Sequence, residues 1–548
     1  MTLGLIGIPC KDFGRGCQCR QCQDARTTHG GAGAGLGRLY PCRDYGKGCR
    51  CTQCQNTDQL VLFQNNKYRY LINSLFIDYG VDLSIQQQQL VQRSSNNNNN
   101  NSSNNNIIHD GVHKLSVYIS DKLREIGKLP ASIIELEIRS SIYASQDIQV
   151  FHDIISILPS NLKILRLPKT IDFSKNIRGA NSVQEYRFPE SLIDLDYFCN
   201  LALVKRFTHP PNNNCVFKNL EFRIDSIESL EWLHDNQWIS SINIYGFDVE
   251  LKPNQIPSHV RQLKFYGDNI KFQQGSIPLA LEQLSCDSVG NIHFSMFQQL
   301  LQLRYLCVDF CVGKIDKGVL PPCLEYLRIF SFNSPLEQGV LPDSLKTLDL
   351  PCFAFHKLTA GSLPASLTKL SLESYNLPLI QNVLPSHLQT LLLISFQNTL
   401  EPLSLPSSLT ELRLNSFQGS FADIGPLNHL KTLVTNTLDK SISTLVSNVN
   451  NIKIKFEKIE SNFSIHSNTS IRQLSLECLD LDTSILPVAS LPQSLVQLTT
   501  KNVTIRSYGA IPFGCLYLYT DIPNINRHIL PTSMKYVHYL KSTFSIYK

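Results

Sequence analysis

Eight cysteines near the start of the chain are spaced like the ligands of a metal ion. Residues 9–23 and 41–55 are two copies of one segment, identical at ten of fifteen positions, and both contain the pattern C-x6-C-x-C-x2-C. The cysteines are Cys10, Cys17, Cys19 and Cys22 in the first copy and Cys42, Cys49, Cys51 and Cys54 in the second. Zn²⁺ is commonly held by four thiolates in a tetrahedron. The spacing therefore predicts a zinc-binding module over residues 1–56.

Fifteen residues are too few to fold around an apolar core, so each copy needs another source of stability. Zinc fits best, because C-x2-C is an ordinary zinc spacing and the pairs Gly14-x-Gly16 and Gly46-x-Gly48 permit a tight turn. Disulfide bonds and unstructured cysteines are the alternatives. It stays open whether each copy holds its own ion or the two copies interleave, and whether His29 substitutes as a ligand.

The positive charge of the chain is concentrated in the same segment. Residues 1–55 hold eight Lys or Arg and three Asp, which accounts for the whole net charge of +5. Each copy also carries one aromatic residue, Phe13 or Tyr45, and basic residues beside an aromatic ring can bind phosphates while stacking a base. The module is therefore expected to dock either RNA or a protein. The rest of the chain is neutral and has no general attraction for nucleic acid.

Prolines recur at a fixed interval along the rest of the chain. Five prolines in this part of the chain each follow a leucine directly and are 21 or 22 residues apart: Pro321, Pro342, Pro364, Pro385 and Pro406. Pro257 and Pro278 continue the series toward the amino terminus, again 21 residues apart. A period of this length is typical of solenoids, in which each coil contacts only its neighbours. We predict a β-rich solenoid of 21–22-residue coils over 113–548.

Each unit contains a Leu-x-Leu segment, such as Leu348 with Leu350 or Leu370 with Leu372. A period of two places both leucines on the same side of a short strand. The preceding Pro and Ser predict a turn in which the Ser hydroxyl bonds a nearby backbone N–H. The residue between the two core positions is expected to be exposed; these residues are Arg328, Asp349, Ser371, Leu392 and Arg413.

An aromatic residue stands eleven positions after each proline of the regular series: Phe332, Phe353, Tyr375, Phe396 and Phe417. Stacked coil upon coil, these rings would form an aromatic spine in the core; a ligand-binding stripe is the alternative. The next residue is an amide in several units, where its side chain could satisfy backbone groups of the adjacent turn; these are Asn333, Asn376, Gln397 and Gln418.

The unit from Gly318 to Pro342 resembles the FNIP repeat, because Phe332-Asn-Ser-Pro335 matches the Phe-Asn-x-Pro signature of that family. The resemblance is strong over 256–420 and weaker, but in phase, elsewhere. It implies a fold similar to leucine-rich repeats and a protein-interaction module without catalytic activity. The cysteine-rich segment resembles no family.

Four segments therefore follow one another. Residues 1–56 form the cysteine module, 57–85 a short apolar and aromatic segment that could be helical, 86–112 a mobile linker rich in Gln, Asn and Ser, and 113–548 the solenoid. The glycine-rich stretch 30–37 lacks the Gly-Lys-Ser/Thr of a phosphate loop and is expected to be a spacer.

The predicted function is a non-catalytic scaffold or adaptor that binds a protein partner on the solenoid surface. One alternative is a substrate receptor of a ubiquitin ligase, with 60–79 as a docking segment, and another is an RNA-binding adaptor that uses the basic amino terminus. No catalytic motif is present, so we expect no enzyme activity, no small-molecule substrate and no cofactor besides zinc. Without a signal peptide or an apolar stretch long enough to span a bilayer, the chain is expected in the cytoplasm, away from membranes.

Overall fold

The computed structural model describes residues 74–77, 108, 110–119, 126, 128–140, 149–169, 185–209, 215–245, 249–267, 270–273, 275–287, 293–310, 314–465, 469–480, 484–523 and 525–540. The chain divides into two compact units, Met1–Ile244 and Tyr245–Lys548. The eight cysteines predicted to bind zinc, the glycine-rich spacer and the Gln/Asn/Ser tract of 86–106 lie outside the described residues.

Seven strands of the first unit pair side by side and in parallel: β1 (Ser74–Ile77), β2 (Lys114–Ile119), β3 (Glu135–Ser140), β4 (Ile164–Arg166), β6 (Asp194–Cys199), β8 (Phe217–Ile224) and β9 (Ile239–Tyr245). A second short pair is β5 (Tyr186–Arg187) with β7 (Phe207–Thr208). The helices described are α1 (Gln149–Ser156), α2 (Leu201–Val204) and α3 (Ile227–His234). Within the segment 57–85, Ser74–Ile77 form a strand, not a helix, because they add to the sheet beside β2.

In the second unit, fourteen described strands form the same kind of parallel ladder: β11 (Gln262–Tyr266), β13 (Gln283–Asp287), β14 (Tyr305–Val308), β15 (Tyr326–Ile329), β16 (Thr347–Asp349), β17 (Lys369–Ser371), β18 (Thr390–Leu392), β19 (Glu411–Leu414), β20 (Thr432–Thr435), β22 (Asn451–Phe456), β24 (Gln473–Cys478), β26 (Gln497–Lys501), β28 (Tyr517–Thr520) and β29 (Tyr536–Tyr539). The unit around 300–306, which lacks the proline, supplies β14 in phase with the others.

Shorter parallel pairs lie outside this ladder in the second unit. They are β10 (Val249–Leu251) with β12 (Ile270–Phe272), β21 (Thr437–Leu438) with β23 (Lys458–Ile459), and β25 (Ser484–Ile485) with β27 (Val503–Thr504). One α-helix, α4 (Ile442–Leu445), and two 3₁₀-helices, Phe294–Phe297 and Arg527–Ile529, complete the described elements. The predicted solenoid of parallel coils about 21 residues apart is confirmed.

The Leu-x-Leu segments form the buried side of the ladder. Leu327, Leu348 and Leu370 are in register on adjacent strands, and each is 0% exposed. Leu350 and Leu372 lie at the next inward position and are also buried. The aliphatic core therefore runs continuously from coil to coil, as period-two spacing predicts.

The aromatic spine is confirmed as a second layer of core. The ring centroids of Phe332 and Phe353 lie 6.2 Å apart, and those of Phe353 and Tyr375 lie 6.0 Å apart, with nearly parallel planes. Phe396 and Phe417 stack in the same way at 6.0 Å. All five rings are buried, so they stabilise the fold and are not available to a ligand.

Two of the four predicted amides, Asn333 and Asn376, bond the next coil. Asn333 Oδ1 accepts hydrogen bonds from the backbone N–H groups of Ala354 and Phe355, both at 3.2 Å. Asn376 Oδ1 accepts one from the N–H of Gln397 at 2.8 Å. These side chains satisfy turn donors that the sheet cannot reach.

The serine after each proline has a different partner from the one predicted. Ser344 Oγ donates to the carbonyl oxygens of Leu324 and Pro322, at 2.8 and 2.7 Å. Ser366 donates to the carbonyl of Leu345. The prediction of a local bond to a backbone N–H is wrong here, because the hydroxyl points along the stack and meets unpaired carbonyls of the preceding coil.

A left-handed backbone residue recurs three positions before the proline of successive coils. Gly318, Gly339 and Gly361 have φ values of 81°, 76° and 81°, and Asn382 follows at 64°. The next coil puts Leu403 there, at φ 60°. Each coil therefore needs a residue that tolerates positive φ, and only the last of these five is a bulky side chain.

The structure describes eight cysteines of the coils, and none of these eight forms a disulfide bond. Of the eight that are described, Cys199, Cys286, Cys478 and Cys515 are buried, as expected of small core residues. Cys215, Cys307 and Cys352 are partly exposed and Cys323 is exposed, so half of this set lies outside the core. Among the described residues, no helix combines the length and hydrophobicity that crossing a bilayer requires.

Candidate binding surface

The outward side of the ladder in the second unit consists of residues that alternate with the buried leucines. Across β14, β15 and β16 they form two rows, Tyr305, Tyr326 and Thr347 in one and Cys307, Arg328 and Asp349 in the other. Because the strands are in register, residues of one row are direct neighbours.

Two of the predicted exposed positions in this second row are buried. Asp349 is 9% exposed and Ser371 is 5% exposed, whereas Arg413 is exposed and Arg328 and Leu392 are partly exposed. The reason is side-chain length: Asp349 and Ser371 are short, and the longer Arg328 and Leu392 flank them in the row. Alternation along a strand therefore predicts the face on which a side chain lies, but it does not predict how far the neighbouring side chains cover it.

Tyr305 and Tyr326 form a stacked pair on this face. Their ring centroids are 4.3 Å apart and their planes differ by 8°. Both rings are partly exposed, and burial raises the pKa of both hydroxyls. The pair therefore presents a rigid, neutral aromatic surface with hydroxyl groups at its edge.

Arg328 and Asp349 form an ion pair beside the tyrosines. Arg328 Nη1 donates to Asp349 Oδ2 at 2.8 Å. Burial opposes the charge of the guanidinium, but the neighbouring carboxylate outweighs it and raises the pKa of Arg328. The second oxygen of Asp349, Oδ1, is buried and has no hydrogen-bond partner. Such an atom is costly to leave unpaired, so Asp349 depends on the hydrogen bond that its other oxygen accepts from Arg328.

Phe330 continues the surface at the end of β15. It follows Arg328 by two residues and is 41% exposed, so it adds an apolar side chain to the surface beside the ion pair. We call Tyr305, Tyr326, Arg328, Phe330 and Asp349 the tyrosine–arginine patch. Tyrosine and arginine dominate the residues that contribute most to protein–protein binding.

Two ionisable groups beside the patch have raised pKa values. Burial raises the pKa of the Cys307 thiol, so it stays protonated and weakly nucleophilic. Burial, together with the nearby Asp309, also raises the pKa of Asp287, whose Oδ1 accepts a hydrogen bond from Ser285 Oγ at 3.3 Å. No histidine stands in the two rows across β14–β16, so the arrangement lacks the usual general base for a thiol or hydroxyl.

A second charged cluster lies farther along the same face, where Glu477 accepts hydrogen bonds from three lysines. Its carboxylate is 2.9 Å from Lys453 Nζ, 3.2 Å from Lys455 Nζ and 2.9 Å from Lys501 Nζ. Burial would raise the pKa of Glu477, but the lysines outweigh it and lower the pKa to about 2. One carboxylate on β24 thus holds three cations on the two flanking strands, β22 and β26.

The zinc prediction cannot be placed in this geometry, because Cys10, Cys17, Cys19, Cys22, Cys42, Cys49, Cys51 and Cys54 all lie outside the described residues. Within the part of the chain that is described, no group of three or more His, Cys, Asp or Glu side chains could hold a metal ion.

The sequence contains signals for both surface clusters that the leucine pattern does not single out. Tyr305 and Tyr326 stand 21 residues apart, each directly before its inward leucine. Lys453 and Lys455 alternate on one strand, and Glu477 follows Lys455 by 22 residues. Aligning whole coils, and not only their core positions, would have placed these residues side by side.

The FNIP repeat family model matches residues 314–353 and 356–396. No curated protein matches the sequence. Three solved structures to which the chain is similar are CroV588, described as a circular LRR protein (17% identity, 88% of this chain and 67% of its own, TM-score 0.42), YopM from Yersinia enterocolitica (16%, 78% and 87%, 0.35), and the mouse RP105/MD-1 complex (14%, 81% and 81%, 0.35). Residues 314–353 and 356–396 are thus similar to FNIP repeats, and they lie within the ladder of parallel coils.

Proposed function

We propose that this protein is a non-catalytic scaffold that binds a protein partner through the tyrosine–arginine patch. The observation that carries the proposal is the stacked Tyr305–Tyr326 pair next to the Arg328–Asp349 ion pair. A stacked pair of rings loses little conformational entropy on binding, since neighbouring strands already hold the rings in place. The partly exposed guanidinium of Arg328 supplies hydrogen-bond donors on the same surface.

The same proposal includes that the protein is not an enzyme. The patch is an open sheet face with protonated Cys307 beside it, and it contains no histidine to activate a nucleophile. Repeat proteins use extended surfaces of this kind to hold partners. Nothing in the described residues favours a ubiquitin-ligase receptor or an RNA adaptor over a scaffold, so neither is proposed.

The experiment compares proteins captured from the source cells by three versions of the full chain. These are the wild type, Tyr326→Ala, and the control Tyr536→Ala, which disrupts another outward stacked pair, Tyr517–Tyr536, at 5.7 Å. We expect a partner that the wild type and the control retain and that Tyr326→Ala loses. Identical captured sets for all three versions would remove the patch as the binding site.

We also propose that the amino-terminal cysteine module binds zinc. What supports it is the C-x6-C-x-C-x2-C pattern present twice in residues 1–56. The test measures zinc per molecule of the full chain after dialysis, by elemental analysis. We expect at least about one tightly held ion, lost when the eight cysteines of the module are changed to serine and retained when Cys323 and Cys352 are changed instead. Fewer than one ion per wild-type chain would end the zinc proposal.

A further inference from the structure

A polar groove crosses five coils at the edge where the strands of the second unit begin. Its volume is about 720 Å³. Its floor is a row of five residues, one per coil, joined by backbone hydrogen bonds of 2.8 Å from each N–H to the preceding carbonyl: Thr368, Gln389, Thr410, Lys431 and Lys453. The wall is formed by side chains from the turns before the strands, including His387, Ser408, Asn428, His429, Asn448 and Asn450.

The charged side chains that line the groove are all positive. The lining includes Lys431, Lys453 and two histidines, and it contains no Asp or Glu. Among the described residues, Lys431 forms no salt bridge, whereas Lys453 shares Glu477 with two other lysines. The positive charge therefore continues past the end of the groove, where three lysines surround one carboxylate. A ligand with negative charge gains attraction along this whole edge.

The rest of the lining is made of amides and hydroxyls. Gln389, Asn428, Asn448 and Asn450 offer both hydrogen-bond donors and acceptors, as peptide groups require. Asn448 Nδ2 already donates to Asn428 Oδ1 at 3.0 Å, which fixes the orientation of both amides. These groups match the alternating N–H and C=O of an extended backbone.

The dimensions fit a short extended segment. Five coils at a strand spacing of about 4.8 Å give a floor about 19 Å long, which holds roughly six residues at about 3.3 Å each. The described lining contains no arginine and no Phe, Tyr or Trp. Single-stranded nucleic acid is usually held by such rings, on which the bases stack. The chemistry therefore favours a peptide over a polynucleotide.

We propose that this groove binds an extended acidic peptide segment, with its carboxylates on Lys431 and Lys453 and its backbone on the amides of the wall. The site is separate from the tyrosine–arginine patch, because the two share no residue. It gives the solenoid a second binding surface with a different specificity.

The test measures fluorescence anisotropy of a labelled octapeptide of alternating Glu and Gly mixed with the full chain, beside a matched Gln and Gly peptide. The wild type should bind the acidic peptide, at least about tenfold more tightly than the Gln peptide, and more weakly as salt is added. Lys431→Glu should weaken binding about tenfold, and Lys431→Gln by less. Lys357→Glu, an exposed lysine outside the groove, is the matched control and should leave affinity within about twofold.

Three further measurements complete the test. Circular dichroism verifies that each variant is folded, and carbodiimide coupling followed by mass spectrometry should join a peptide carboxylate to Lys431 Nζ. Tyr326→Ala should leave peptide affinity unchanged, which separates this site from the patch. Equal binding of the Gln peptide, or equal loss in Lys357→Glu and Lys431→Glu, would overturn the proposal. So would tighter, Lys431-dependent binding of labelled oligouridine, which would identify a polynucleotide as the ligand.

Discussion

Arg328 on β15 donates a hydrogen bond of 2.8 Å to Asp349 on β16, so one ion pair joins two neighbouring coils on the outward face of the sheet. The carboxylate is nearly buried, with Asp349 only 9% exposed. A charge in that position depends on its partner, because water does not reach it well enough to replace the bond.

Arg328→Ala should therefore destabilise the protein by about 1–3 kcal/mol, the usual cost of leaving a buried polar group unsatisfied. Urea unfolding of the full chain measures this. The control is Arg413→Ala: Arg413 bonds Glu411 on its own strand at 2.6 Å and is exposed, so its loss should cost less than about 0.5 kcal/mol. Adding Asp349→Ala to Arg328→Ala should recover part of the loss. If the two arginine substitutions lowered the free energy of unfolding equally, the Arg328–Asp349 pair between coils would contribute no more to stability than the exposed pair within one strand.

Glu477 should make stability depend on pH. Its pKa is lowered from 4.5 to about 2 in the folded chain, so the carboxylate favours folding when it is ionised. The contribution is fully present above about pH 4.5 and is lost as the pH falls toward 2. Glu477→Gln should cost about 1.5–3 kcal/mol at pH 7 and progressively less toward pH 3. Urea unfolding of wild type and variant at several pH values gives the difference; a difference that does not change with pH would contradict the electrostatic role.

The aromatic spine should be among the most sensitive parts of the core. Phe396→Ala removes a ring that is 0% exposed and stacked on Phe417, and should cost about 3–5 kcal/mol. Phe355 provides a control of the same residue type, since it is 80% exposed, and Phe355→Ala should change stability by less than about 0.5 kcal/mol. Thermal unfolding followed by circular dichroism compares them. If the two substitutions have similar effects, the rings do not form a stacked core.

Leu403 should be replaceable with a gain in stability. It occupies the left-handed position that Gly318, Gly339 and Gly361 fill in earlier coils, with φ at 60° and a side chain that is 66% exposed. A left-handed L-residue costs roughly 1–2 kcal/mol, and glycine avoids that cost but loses more entropy on folding, about 0.5–1 kcal/mol. Leu403→Gly should therefore raise the free energy of unfolding by about 0.5–1 kcal/mol. Urea unfolding measures the gain, and a loss of stability would mean that Leu403 makes contacts worth more than its strain.

The repeat period was sufficient to predict the core of this fold. Spacing along the sequence predicts the positions of the leucines, the aromatic spine and the amides that follow it, because each coil repeats the same local backbone structure. The prediction of a local hydrogen bond for the serines is wrong, since the Ser344 hydroxyl donates to the carbonyl of Leu324 in the preceding coil and not to a group in its own turn. Contacts between coils follow from register and not from local spacing.

The candidate surfaces were less predictable for the same reason. Alternation predicts that Asp349 faces outward, and it does, but the length of Arg328 beside it decides that it is buried. Likewise, Lys431 and Lys453 become neighbours only when their coils are stacked, with the N–H of Lys453 bonded to the carbonyl of Lys431. The sequence thus predicts the face on which a side chain lies more reliably than its burial by neighbouring side chains.

The affinity of the protein partner for three purified versions of the chain tests the central proposal most directly. The partner is the protein that wild type and Tyr536→Ala capture and Tyr326→Ala does not. Titration calorimetry should show that Tyr326→Ala loses about 2 kcal/mol or more of binding free energy, roughly 30-fold in Kd, as expected for a tyrosine at the centre of an interface. Tyr536→Ala should bind within about twofold of the wild type. Equal affinities of all three, with each chain folded, would contradict the assignment of the tyrosine–arginine patch as the site where this scaffold holds its partner.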